Sequence, residues 1–501
     1  MLGKLPRRAA IIPGMKKVMP YLALVLGVLL PVGVPSTTAF AEGLPSLGEA
    51  SQVDFSPQME RKVGEEAMND IRLHEPAYID DQEINGYLGR LVGKLAQNLE
   101  KGSQQTFEVF ALRDPMLNAF AMPGGFIGVH TALILAAQSE SELASVLAHE
   151  VSHVTQHHLA RQIGVQQQTQ MASLLALAVG VLAARSRPDL AMGAMVGGQA
   201  AMVQNQLSYS RDFEREADRI GLQLLERSGF DIRGMGDFFV RLDKFGRIYE
   251  NGAPGYLRTH PLTTERIADM ENRIQMRPYK QVVDSLDFHL VRAKLRSQEG
   301  TAQDAVTDFS SQLTEKKYVS EIAAHYGMSR AWLRDGKPDA AEREVLVLRR
   351  LKASHFMVET LEAEILVKKG DVPGAIRILR AARNQFAGEY AVSLALAQTL
   401  LDTHRYGEAL QVVSEELQSR TTDARLYLMQ SKAYAGLGKD FRQHRALADA
   451  YFQQGLIHGA IEQLQLAQKA TDGDFYEQSQ VDARLRELRA RLENEKSGQR
   501  Q

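Results

Sequence analysis

Apolar positions along this chain change period twice, and the changes divide it into regions of different architecture. Thr106–Leu112 alternates and is rich in β-formers, and Ala119–Met122, Pro123-Gly124-Gly125 and Phe126–His130 then read as strand, tight turn and strand. A small sheet is expected there. From Ser139 to about Gln162 the period becomes helical: Ser139 and Glu142 are spaced as a capping box, and Leu143, Val146, Leu147, Val151 and Val154 form the apolar stripe of a buried helix. From about residue 285 the helical pattern continues and repeats. Gly300, Gly336, Gly370, His404 and Gly438 recur at spacings of 36, 34, 34 and 34. Ala305, Ala341, Ala375 and Ala409 stand five residues after the first four, and Ala293, Ser329, Ala363, Ala397 and Ser431 stand seven before all five. Small residues where paired helices pack, with a turn residue between them, give the tetratricopeptide period and a solenoid suited to holding an extended or partly folded chain. Gly455, with Ala448 and Ala460, repeats the pattern at a half-period, and Gln443 breaks the alanine rule, so the array is expected to be irregular near its end.

Three apolar stretches fit neither period. Tyr21–Val34 follows the basic lead-in Lys4, Arg7, Arg8, Lys16 and Lys17 and precedes Ala39-Phe40-Ala41, which together read as a secretory signal peptide cleaved near Ala41; translation could begin at Met1 or at Met15. Met171–Ala184 and Leu190–Val203, split by Arg185–Asp189, are each too short to span a bilayer. They read as a cover over a cleft, a surface for membrane proteins, or a buried helical hairpin. The organisation expected is a signal peptide over 1–41, a catalytic domain over 42–280 and a repeat domain over 281–501. The fold class is mainly α: an α+β domain with a small sheet and a motif-bearing helix, followed by an all-α tetratricopeptide solenoid.

Composition narrows the chemistry. Five of the 59 Lys and Arg precede the cleavage site and none of the 61 Asp and Glu does, leaving the mature chain at −7 and giving no indication of nucleic-acid binding. The chain has no cysteine, which removes disulfides, thiolate metal sites and lipid attachment through an N-terminal Cys.

The buried helix carries His149-Glu150-Val151-Ser152-His153. Residues four apart share a helix face, so His149 and His153 can point at one ion while Glu150 reaches a water beside it, the arrangement of hydrolytic zinc sites. Two imidazoles leave such a zinc one protein ligand short. In Ser210-Arg211-Asp212-Phe213-Glu214-Arg215-Glu216-Ala217-Asp218, Glu214 and Asp218 share a face while Glu216 is turned about 200° away, which selects Glu214. Glu150 is then the base, and Asp218 is placed to accept a hydrogen bond from a zinc histidine or to assist proton transfer. His157 and His158 are not expected to be ligands.

Asn118-Ala119-Phe120 before Pro123-Gly124-Gly125, the H-E-x-x-H, and Ser210-Arg211-x-x-Glu214-x-x-Ala217-Asp218, in this order, resemble the CAAX prenyl endopeptidase and HtpX-type zinc metalloproteases. The resemblance implies one zinc held by His149, His153 and Glu214, with Glu150 as base and Asp218 as a catalytic-site residue. Thr259-His260-Pro261 with Arg266-Ile267 resembles a further element of the soluble members, and His260 is expected as a fourth ligand, a transition-state donor, or a capping or surface histidine. Signal peptide, protease and repeats together resemble periplasmic proteases of Gram-negative bacteria that assist and police assembly of outer-membrane β-barrels. That implies unfolded or stalled outer-membrane proteins such as LptD, and the β-barrel assembly machinery, as partners, with peripheral membrane association. The rival readings are a chaperone or scaffold with a structural zinc and little proteolysis, and an integral-membrane prenyl-protein protease.

Overall fold

The computed structural model describes residues 56–99, 105–163, 211–248 and 255–498. The signal-peptide reading and the two apolar pieces between residues 171 and 203 lie outside these residues, as does Ser210. No helix of the described residues is long and apolar enough to cross a membrane.

Helix α1 (Pro57–His74) opens with Ser56, whose hydroxyl accepts from the Met59 amide, and with proline in its first turn. It lies directly on the Pro-Gly-Gly turn, where a Cβ at Gly64 would stand 2.1 Å from the Pro123 carbonyl oxygen. Gly124 occupies that turn at φ +74°, a conformation glycine adopts without steric cost. Among the described residues the sheet has four strands, β1 (Tyr78–Ile79), β2 (Glu108–Leu112), β3 (Ala119–Met122) and β4 (Phe126–His130), in the order β1-β2-β4-β3. β3 and β4 form the expected antiparallel pair, with Phe120 opposite Gly128, and β4 pairs parallel with β2. β1 pairs antiparallel with β2 and was not expected, because two residues are too few to show alternation. The strand expected from Thr106 begins at Glu108.

β3 is an edge strand and packs on α4 (Glu140–Thr155), the motif helix, after the short α3 (Thr131–Ala136). The Ser139 hydroxyl accepts from the Glu142 amide as a capping box requires, but Glu142 reaches back to the Gln138 amide (2.6 Å) and to Arg241 (2.7 Å), so the box is only half formed. α4 also stops earlier than its apolar stripe suggested. His157 at φ +50° turns the chain, and a separate short helix α5 (His158–Ile163) follows. α6 (Arg211–Arg227) runs against α4, and Gly221 permits the approach: a Cβ there would lie 3.2 Å from the His149 nitrogen. Among the described residues of this part, helices α7 (Arg233–Ile248), α8 (Gly255–Thr259) and α9 (Thr264–Gln275) follow.

Twelve helices follow from α10 (Leu286–Arg296) to the last, Phe475–Gly498; α10 packs on the helix Glu321–Arg334, and from Ala302–Thr314 onward consecutive helices pack on each other. The turn markers behave as their period implied. Gly300, Gly336, Gly370, His404 and Gly438 all have φ between +55° and +87°, and His404 does so without being glycine. The small residues of the repeat are buried; Ser329 and Ser431 donate to the carbonyls of Ala341 and Gln443, twelve residues on in each case. Gly455, at φ +76°, turns between the helices Asp440–Gln453 and Ile457–Lys469, which accounts for its half-period offset. The repeats close onto α2 (Gln82–Ala96): Lys294 Nζ lies 2.5 Å from Asp81 and from Glu83, and Arg90 bonds Asp287 and Glu389.

Candidate metal centre

His149 and His153 lie one turn apart on α4, Glu214 is on the buried face of α6 with Asp218, and His260 follows α8 in the loop before α9. All four are buried, and one donor atom from each falls within 4.8 Å of the other three. Nε2 of His153 is 2.9 Å from Nε2 of His149, and these nitrogens lie 3.5 Å and 3.4 Å from Glu214 oxygens. Nδ1 of His260 is 3.0 Å from Glu214 Oε1 and 3.4 Å from His149 Nε2. Donors bonded at about 2.0–2.1 Å to one tetrahedral ion sit roughly 3.3 Å from each other, so the spacing fits a shared zinc-sized cation.

The local field points the same way. Burial disfavours charge on His149, yet hydrogen bonds to Asp218 and Glu214 outweigh it and push the imidazole up to about 9. Burial also opposes ionisation of Glu214, but His260 and His149 hold it well below the usual carboxylate range. His153 is driven well below its ordinary value by burial and by its positive neighbours. The donor set, two imidazoles with an ionised carboxylate and a third imidazole at hand, therefore fits a divalent metal by geometry and by charge.

Glu150 is wholly buried, and neither carboxylate oxygen makes a well-formed hydrogen bond among the described residues. Burial raises its pKa, which suits a group that must take up a proton. Its Oε1 lies 3.4 Å from Nε2 of His260, so His260 is between the base and the donor cluster. Asp218 Oδ1 is 3.0 Å from Nδ1 of His149.

Three groups around the centre were not anticipated. Arg266 forks onto Asp218 (2.7 and 2.8 Å) and also reaches Glu214 (2.8 Å) and the Pro261 carbonyl (2.8 Å), tying the loop that carries His260 to α6. In the sequence it was only part of a resembling element. Tyr256 stacks on His260 with ring centroids 4.7 Å apart, and its buried hydroxyl has no hydrogen-bond partner among the described residues. His158 and Glu216, set aside as ligands, contact the centre from outside: Nδ1 of His158 is 2.8 Å from Nδ1 of His153, and Nε2 is 3.2 Å from Glu216. The break at His157, which turns His158 back toward the motif, carried no apolar signal.

Residues 82–274 match Peptidase family M48, and residues 366–433 match a tetratricopeptide repeat. A Vibrio cholerae protein described as a putative beta-barrel assembly-enhancing protease is 30% identical over 470 residues, spanning 92% of this chain and 96% of that protein. The beta-barrel assembly-enhancing protease of Escherichia coli strain K12 is 30% identical over 457 residues, or 91% and 93% of the two chains. The mitochondrial metalloendopeptidase OMA1 of Arabidopsis thaliana is 32% identical over 234 residues, 46% of this chain and 44% of that one.

Proposed function

This chain belongs to the beta-barrel assembly-enhancing proteases and is a metalloendopeptidase with tetratricopeptide repeats; from that premise we propose that it is a periplasmic zinc enzyme that promotes assembly of outer-membrane β-barrel proteins and degrades misassembled ones. In this reading His149, His153 and Glu214 hold one zinc per chain. The observation that carries it is the convergence of their donor atoms, with one of His260, within 4.8 Å.

A bound zinc would supply Lewis acidity toward a peptide carbonyl and acidify water. The rest falls to this chain's own residues. Glu150 takes the proton of the attacking water and passes it to the departing amine, a role its raised pKa and burial support. Asp218, with Oδ1 3.0 Å from Nδ1 of His149, is placed to orient that ring, and Arg266 holds Asp218 and Glu214 in place. Edge strand β3 beside α4 offers main-chain groups to an extended substrate, recognition that tolerates many sequences.

His260 favours a second, compatible reading. With Nδ1 as near to Glu214 and His149 as a ligand would be, it makes a four-donor set, the closed arrangement of structural zinc sites. We infer a resting form in which His260 closes the centre and the protein acts as a chaperone, with proteolysis following its displacement.

The organisation proposed is a leader over 1–41, a catalytic part over 42–280 and repeats over 281–501, with the end of α9 at Gln275 and the start of α10 at Leu286 supporting the second boundary. Partners proposed are unfolded or stalled outer-membrane proteins, LptD among them, and the β-barrel assembly machinery. Glu150→Gln separates the roles: it is expected to retain zinc and lose cleavage of an unfolded outer-membrane protein while still binding it. Undiminished cleavage would remove Glu150 as the base.

A further inference from the structure

The two motif histidines are held from behind by different groups. Nδ1 of His149 meets a carboxylate, Asp218, whereas Nδ1 of His153 meets a second imidazole, His158, at 2.8 Å. His158 is not one of the four converging donors, yet it is fully buried and lies flat on Phe213, with ring centroids 4.7 Å apart and planes 12° apart. Its Nε2 is 3.2 Å from Glu216 Oε2, the oxygen that also accepts from Arg161 Nη1 at 2.9 Å.

Proton placement follows from the far end of this chain of contacts. The ionised Glu216 accepts from Nε2–H of His158, which leaves Nδ1 of a neutral His158 as a lone pair. Two ring nitrogens 2.8 Å apart need one proton between them, so His153 donates its Nδ1–H and keeps its lone pair on Nε2. That is the nitrogen facing His149 and Glu214.

We propose that His158, oriented by Glu216 and Arg161, is a positioning residue that fixes the tautomer and ring orientation of His153 so that Nε2 is offered to the metal. The inference rests on the reading of His153 as a ligand. A neutral relay has a use here. Glu214 and Asp218 already place two carboxylates at the centre, and an imidazole keeps the charge of Glu216 one residue further out, toward solvent.

The test is metal affinity of the full chain, measured with zinc against a chromophoric chelator, together with the visible spectrum of the cobalt-substituted protein. His153→Ala is expected to lose stoichiometric metal. His158→Ala is expected to weaken zinc binding by about 10–100-fold and to shift the cobalt bands, as loss of an outer partner of a metal histidine does. His158→Asn, whose amide oxygen can accept near the Nδ1 position, is expected to restore most of the affinity, and Glu216→Gln to weaken it less than His158→Ala. If His153→Ala loses metal while His158→Ala stays within twofold of wild type with an unshifted spectrum, the relay is wrong. Equal losses in the Ala and Asn forms would mark a packing role and overturn it too. Should His158→Ala fail to fold, unchanged affinity in Glu216→Gln, on a partly exposed side chain, overturns the proposal by itself. Metal retained by His153→Ala would instead overturn the ligand reading beneath it.

Discussion

Replacing Arg266 with Met tests how the centre is held together before any metal arrives. Arg266 is 4% exposed and its guanidinium contacts two carboxylates that are themselves buried, Asp218 on both oxygens and Glu214 on one. Methionine fills a similar length and leaves both acids without their cation. Removing one partner of a buried ion pair costs about 3–5 kcal/mol, because the remaining charge stays desolvated. For a cooperative unit of about 200 residues each kcal/mol lowers the midpoint by roughly 2–4 °C, so the metal-free protein should melt on the order of 10 °C lower. Saturating zinc would neutralise Glu214 but not Asp218, and the deficit should shrink without vanishing. Arg266→Lys keeps the charge but not the fork, and should fall between. The assay is thermal unfolding by circular dichroism of each variant, with chelator and with zinc. A metal-free Arg266→Met protein within about 2 °C of wild type would refute the claim that this arginine compensates the two acids.

Two further outcomes follow from the geometry elsewhere. Gly370 sits at φ +87° in a repeat turn with nothing within 4 Å of where a Cβ would stand, so Gly370→Ala should cost backbone strain alone, about 1–2 kcal/mol; guanidinium unfolding showing no loss would contradict the left-handed turn. The hydrogen bond that His157 donates to Glu60 raises its pKa against a smaller effect of burial, so the pair's stabilisation is complete below the unfolded value near 6.5 and is lost as pH rises through the folded one. His157→Asn, which tolerates the positive φ, should therefore lose up to about 1 kcal/mol relative to wild type near pH 6 and progressively less toward pH 9; a deficit that grows with pH would reverse the sign and reject the pairing.

Periodicity made the repeats legible far more completely than it made the centre legible. The five turn markers could be placed because each repeat solves the same packing problem, and the structure puts all five in the left-handed region. His404 shows that the position, not glycine itself, is what recurs. For the centre, helical geometry was enough to put His149 and His153 on one face and to prefer Glu214 over Glu216, since both judgements need only the 100° step of a helix. It could not show that α4 stops at Thr155, because Val151 and Val154 continue the apolar stripe up to the break while the turn at His157 depends on backbone conformation. Nor could it find Arg266 or Tyr256, whose partners lie on other elements. Their contacts exist only once α6, α8 and α9 have packed around α4. The same holds for Glu142, whose carboxylate serves Gln138 and Arg241 rather than closing the capping box.

The central claim is that one zinc joins α4 to α6. Its most direct test is an anomalous-difference map at the zinc edge, on protein purified without added metal, with stoichiometry checked by elemental analysis. One peak per chain, about 2.0–2.1 Å from Nε2 of His149, Nε2 of His153 and a carboxylate oxygen of Glu214, is the result expected. A peak bound elsewhere, or protein that carries less than a small fraction of one equivalent and takes up none when supplied, would contradict it.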